Sequence, residues 1–120
     1  MITPSSLQSG TRKALAYGLT AALASVIAAL TLLPLPAPPL ATDGGDKVYH
    51  FIAFAGLMLP VASLRPKALI WMIPAALLFG AGIEILQPVV NRSRDLADFL
   101  ADAGGVLAGS AIGAALNRLS

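Results

Sequence analysis

Four apolar stretches make up most of this 120-residue chain. Each is close to the ~20 helical residues needed to cross a bilayer core. They run from about Ala14 to Leu33, Val48 to Leu64, Ala68 to Gln87 and Leu96 to Leu116. Short polar links separate them. Pro34 to Asp46 is rich in Pro and Gly and cannot continue a helix. Leu64-Arg65-Pro66-Lys67 is a tight basic turn, and Pro88 ends the third stretch before a polar loop to Arg94. Pro60 and Pro74 fall inside the second and third stretches, where a proline kinks or locally unwinds a spanning helix. Alternating strand patterns and solenoid repeats are missing. The pattern predicts an all-α fold, a bundle of four transmembrane helices forming one domain over residues 1–120.

Composition agrees. The chain is 57% hydrophobic and only 12% charged, against about 25% charged in soluble domains. The net charge of +2 comes without basic–aromatic clusters, so no nucleic-acid partner is expected. There is no cysteine, which excludes disulfides, thiolate chemistry and cysteine metal sites. A cleaved signal peptide competes for the first stretch, but its apolar run is longer than the 7–15 residues typical of such a core.

The charges divide by end. Asp43, Asp46, Glu84, Asp95, Asp98 and Asp102, which are all the acids, fall with His50 at or near one set of helix ends. Arg12, Lys13, Arg65, Lys67 and Arg118 fall at the other. The positive-inside rule places the basic end and both termini in the cytoplasm. The acidic end then faces outward, with Lys47, Arg92 and Arg94 among its acids.

Helical spacing at 100° per residue sorts the polar positions by face. Asp46 and His50 are four apart, and Phe54 and Leu57 extend the His50 face. Gly80, Glu84 and Gln87 share a face of the third helix. Asp95, Asp98, Asp102, Gly105, Gly109 and Gly113 share one stripe on the fourth, acidic outside and glycine inside. Lipid would reject those acids, so the stripe is expected to face protein. The Gly105-xxx-Gly109-xxx-Gly113 row suits close helix packing within the chain, with a homo-oligomer as the competing use of the same face.

Glu84, the only glutamate, is read either as a direct chemical group or as an ion-pair partner of Arg92, Lys47 or His50. Asp98 carries the same ambiguity. Asp95 and Asp46 suit helix N-caps, whereas Asp102 lies too deep for one. His50 could bind a metal with Asp46, Glu84, Asp98 or Asp102, but one histidine among carboxylates lacks a metal-motif spacing and ion pairing is the simpler use, so neither metal nor other cofactor is expected. Ser93 has no nucleophile-elbow context, and no phosphate-cradling loop exists.

The same residues carry a family resemblance. DKVYHFIAFAGL, Asp46 to Leu57, resembles the Asp-Lys-x-x-His opening motif of VanZ-like membrane proteins. EILQ, Glu84 to Gln87, resembles that family's Glu-x-x-Gln motif. RSRDLADFLADAGGVLAG, Arg92 to Gly109, resembles its closing Arg, Asp, Asn, Gly, Gly motif. The matched positions are Asp46, Lys47, His50, Glu84, Gln87, Arg92, Asp98, Gly105 and Gly109. The chain departs from the pattern in having Phe54 where a tyrosine is frequent and Asp102 where an asparagine is frequent.

The family is named for a protein associated with resistance to teicoplanin, a lipid-bearing glycopeptide. The resemblance implies a multi-pass protein of the bacterial inner membrane, acting in envelope maintenance or glycopeptide resistance. The expected site is an outward polar pocket of Asp46, Lys47, His50, Glu84, Gln87, Arg92, Asp98 and Asp102. Lys47 and Arg92 would hold an anionic lipid headgroup or cell-wall precursor, and the other groups would set their charge. Two further readings stand beside it. One is an enzyme on a lipid-linked substrate with Glu84 or His50 as general base. The other is a structural protein whose polar cluster fixes helix register.

Overall fold

The structure is a computed structural model that describes residues 9–33, 45–86 and 96–119. Every regular element within these residues is helical. Helix α1 spans Ser9–Leu32, α2 Gly45–Leu64, α3 Leu69–Leu86 and α4 Leu96–Arg118. A 3-10 turn, Pro66–Ala68, joins α2 to α3. All four helices are long and apolar enough to span a membrane.

Local sequence accounts for these boundaries. Pro66 stands at the start of the 3-10 turn, where its missing N–H costs nothing. Arg65, with a non-helical backbone, lets the chain reverse, and its N–H donates to the Val61 carbonyl at 2.7 Å. Both α2 and α3 continue through their internal prolines. Two helices begin earlier than expected, α1 at Ser9 and α2 at Gly45. The polar residues at their starts have no apolar signal, but backbone hydrogen bonding does not require one. Asp46 therefore stands inside the first turn of α2, not before it as an N-cap. The cap expected at Asp95 lies outside the described residues.

The dominant interface is α2 against α4. Helix α1 packs mainly on α2, and α3 mainly on α4. Glycine explains the closeness of α2 and α4. A Cβ on Gly105 would collide with the Phe51 carbonyl, one on Gly109 with the Ala55 carbonyl, and one on Gly113 with the Ala62 side chain. Gly109's would also lie 2.8 Å from the Ala55 Cα. Backbones this close gain dispersion contacts, which drive helix association where lipid cancels the hydrophobic effect. The glycine stripe thus packs within the chain.

Phe54, Met58 and Val61 of α2 and Val106 of α4 fill the centre. Phe54 and Phe79 tilt against each other at 5.9 Å, and Tyr17 stacks on Trp71 at 5.7 Å. Large apolar side chains point outward on every helix. Leu30, Ile52, Leu78 and Leu107 are all more than half exposed. A water-soluble monomer rarely shows so much apolar surface. A bilayer is the solvent that fits it.

Candidate polar site at one end of the bundle

Two helix ends bring acids together, and a third adds the histidine. Glu84 sits in the last turn of α3, Asp98 in the first turn of α4, and Asp102 one turn further in. His50 lies five residues into α2, or about 8 Å along its axis. The stripe spacing of α4 turns Asp98, Asp102, Gly105, Gly109 and Gly113 inward, and all five are buried. On α2 the same logic buries Phe54 and Leu57 below His50.

The contacts form a chain across the α2–α4 interface. Lys47 Nζ lies 3.1 Å from Asp98 Oδ1. Asp98 Oδ2 lies 3.6 Å from His50 Nε2. On the other side of the ring, His50 Nδ1 and Asp102 Oδ1 share a 2.7 Å hydrogen bond. Asp102 is only 1% exposed. Its second oxygen, Oδ2, meets no hydrogen-bond donor among the described residues. That oxygen points toward α3, where a Cβ on Gly80 would stand 3.2 Å from it. Glu84, one turn beyond Gly80 on α3, is also buried. One donor atom from each of His50, Glu84 and Asp102 lies within 4.8 Å of the others.

Of the expected site residues, the structure therefore brings together Lys47, His50, Glu84, Asp98 and Asp102. Asp46 is described in its backbone only, and Gln87 and Arg92 lie outside the described residues. Lys47, expected to hold an anion, is paired with Asp98. Glu84 and Asp102 are two of the four carboxylates considered beside His50, but their selection was not readable because the members of this set come from three helices. Spacing along the chain cannot reveal such a set. Gly80 was legible only as a face-mate of Glu84, and its role beside Asp102 depends on how α3 meets α4.

The opposite end is built differently. Arg12, Leu64, Arg65, Pro66, Lys67 and Asn117 line an open groove of about 430 Å³. Asn117 Nδ2 donates to the Ser63 carbonyl at 2.7 Å, tying the end of α4 to the end of α2. Sequence reasoning missed Asn117, since a lone asparagine near a chain end carries no pattern.

A family model described as VanZ/LLP1 matches residues 19–117, most of the chain and all of the site residues named above. No curated protein and no solved structure matches. With four helices fit to cross a bilayer, an apolar exterior and that match, the chain belongs to the VanZ/LLP1 family and is a multi-pass membrane protein.

Proposed function

We propose that this protein acts at the bacterial cell envelope. Its acidic end opens to the outer face of the inner membrane, and there it binds the polar headgroup of an anionic lipid or a cell-wall precursor. The observation that supports this reading is the convergence of half-buried His50 with buried Glu84 and Asp102 from three different helices. Ionisable groups are costly at membrane depth and tend to mark functional sites. The orientation rests on the basic groove of Arg12, Arg65 and Lys67, which suits the cytoplasmic side. Envelope maintenance or glycopeptide resistance would follow from control of such a headgroup. The enzyme reading, with Glu84 or His50 as base, uses the same site.

One observation favours a structural role instead. The Lys47–Asp98–His50–Asp102 chain crosses the same interface as the glycine row, so it also fixes the register of α2 against α4. A paired experiment separates the two. Cysteines at Gly44 and Ser93 should react with an impermeant reagent on intact cells, and one at Ser120 should not. In the same cells, Glu84→Gln should keep expression and lose the envelope phenotype, read as glycopeptide susceptibility. Labelling of Ser120 alone would overturn the orientation. A Glu84→Gln protein with normal phenotype would leave register as the site's role.

A further inference from the structure

We propose that His50, Glu84 and Asp102 bind one divalent transition-metal ion of the Zn2+ or Mn2+ kind. The inference stands on geometry and does not depend on the headgroup reading. The three donor atoms lie within 4.8 Å of one another, one from each of α2, α3 and α4. Metal–ligand bonds of about 2.0–2.2 Å place neighbouring donors roughly 3 Å apart, so these atoms need to draw together by about 2 Å at most to hold an ion. A neutral imidazole with two carboxylates carries two negative charges, which a divalent cation balances. Imidazole favours Zn2+ and its neighbours over Mg2+ and Ca2+, which prefer all-oxygen sites.

A second, independent observation points to a ligand. Asp102 is 1% exposed, yet its Oδ2 has no donor among the described residues. A buried carboxylate oxygen left without a donor is expensive. A cation is a natural occupant for the space it faces. Gly80 keeps that space, since a Cβ there would crowd Oδ2 at 3.2 Å.

The surroundings suit ligation through Nδ1. Ligation through His50 Nδ1 releases to solvent the proton that it shares with Asp102 Oδ1 at 2.7 Å, and Asp102 offers its donor-free Oδ2 to the ion. The ring's other nitrogen, Nε2, then carries its proton toward Asp98 Oδ2, 3.6 Å away. Asp98 is in turn held by Lys47 at 3.1 Å. A metal-bound histidine commonly donates its second N–H to a carboxylate, which fixes the ring and raises its basicity. Three protein donors leave the ion a further coordination position. A bound cation also inverts the local field, so an acidic cluster becomes able to receive a phosphate oxygen.

The test uses the full chain in detergent, stripped with a chelator and titrated with ZnCl2, MnCl2 and MgCl2. CoCl2 serves as an optical probe, because its ligand-field bands report nitrogen and carboxylate donors. One Zn2+ or Mn2+ per chain is expected, with Mg2+ a weak competitor. His50→Ala, Asp102→Asn and Glu84→Gln should each abolish stoichiometric binding. Asp98→Asn should weaken it by about 10–100-fold as a second-layer change. Lys67→Ala, at the far end, should leave it unchanged. Helical circular dichroism selects the variants that fold, and Glu84→Gln, an isosteric change, decides if the others do not. No saturable binding by the parent, or a cobalt spectrum identical in the parent and Glu84→Gln, overturns the site. Loss of the envelope phenotype without loss of metal would bear on the headgroup reading alone.

Discussion

The two ends of the bundle solve the same problem in opposite ways. At the acidic end, side chains from three helices meet each other, with the carboxylates of Glu84, Asp98 and Asp102 buried: Lys47 with Asp98, His50 with Asp98 and Asp102, and Glu84 beside them. At the basic end, Arg12, Arg65 and Lys67 line an open groove, and the link between helices is a side chain on a backbone carbonyl, Asn117 to Ser63. Cations on long stems reach the interface and stay hydrated. Asp102 has a short side chain on a buried face, so it can only be satisfied by what the neighbouring helices present. Charge at the basic end therefore lines an open surface, while charge at the acidic end is committed to tertiary contacts.

The largest expected effect tests what the two ends share. The glycine row runs from Gly105 near the acidic cluster to Gly113 near the basic groove. Gly109→Leu would drive a side chain into the Ala55 carbonyl. It should cost beyond about 4 kcal/mol, or yield no folded protein, as an overpacked backbone contact. Gly82→Leu, with nothing within 4 Å of its Cβ position, should change stability by about 0.5 kcal/mol or less. Equal melting temperatures for the two in detergent would sink the α2–α4 interface.

A middle-sized effect distinguishes the ends. Asp102→Ala removes the buried partner of His50 and opens a cavity beside Gly80. A loss of about 3 kcal/mol is expected from breaking a buried polar pair. The Lys47–Asp98 pair is left in place by this change, so a loss near zero would mean the acidic end is as loosely built as the basic one.

The smallest effects belong to the basic end. Asn117→Ala should cost about 1 kcal/mol, one hydrogen bond to a helix-end carbonyl. Lys67→Ala, at an exposed position, should fall within about 0.5 kcal/mol. Thermal unfolding in detergent reads both. A Lys67→Ala loss as large as that of Asp102→Ala would erase the difference between the ends.

Much of the candidate site was legible because helical periodicity is strict. The spacing of Asp98, Asp102, Gly105, Gly109 and Gly113 marks one face whatever that face meets. The bounds of α2 were less legible, since Gly45, Asp46 and Lys47 have no apolar signal. The choice of Glu84 and Asp102, out of four candidate carboxylates, as the pair that converges with His50 was not legible. It depends on the rotation of three helices about their axes, and no one helix's sequence encodes its partner's rotation.

The sequence by itself determined the number of helices, the bilayer as their solvent, and the family. Length, apolarity and motif order are local properties that survive without knowledge of contacts. It also determined which face of α4 is buried, because acids and glycines leave no other choice in lipid. Tertiary structure alone decided the pairings. His50 takes Asp102 at 2.7 Å while Lys47 takes Asp98, and Gly80 yields its space to Asp102. The physical reason is reach. Short carboxylates on crowded faces are assigned partners by how the helices are placed, which the glycine row sets through backbone contact and the linear pattern does not contain.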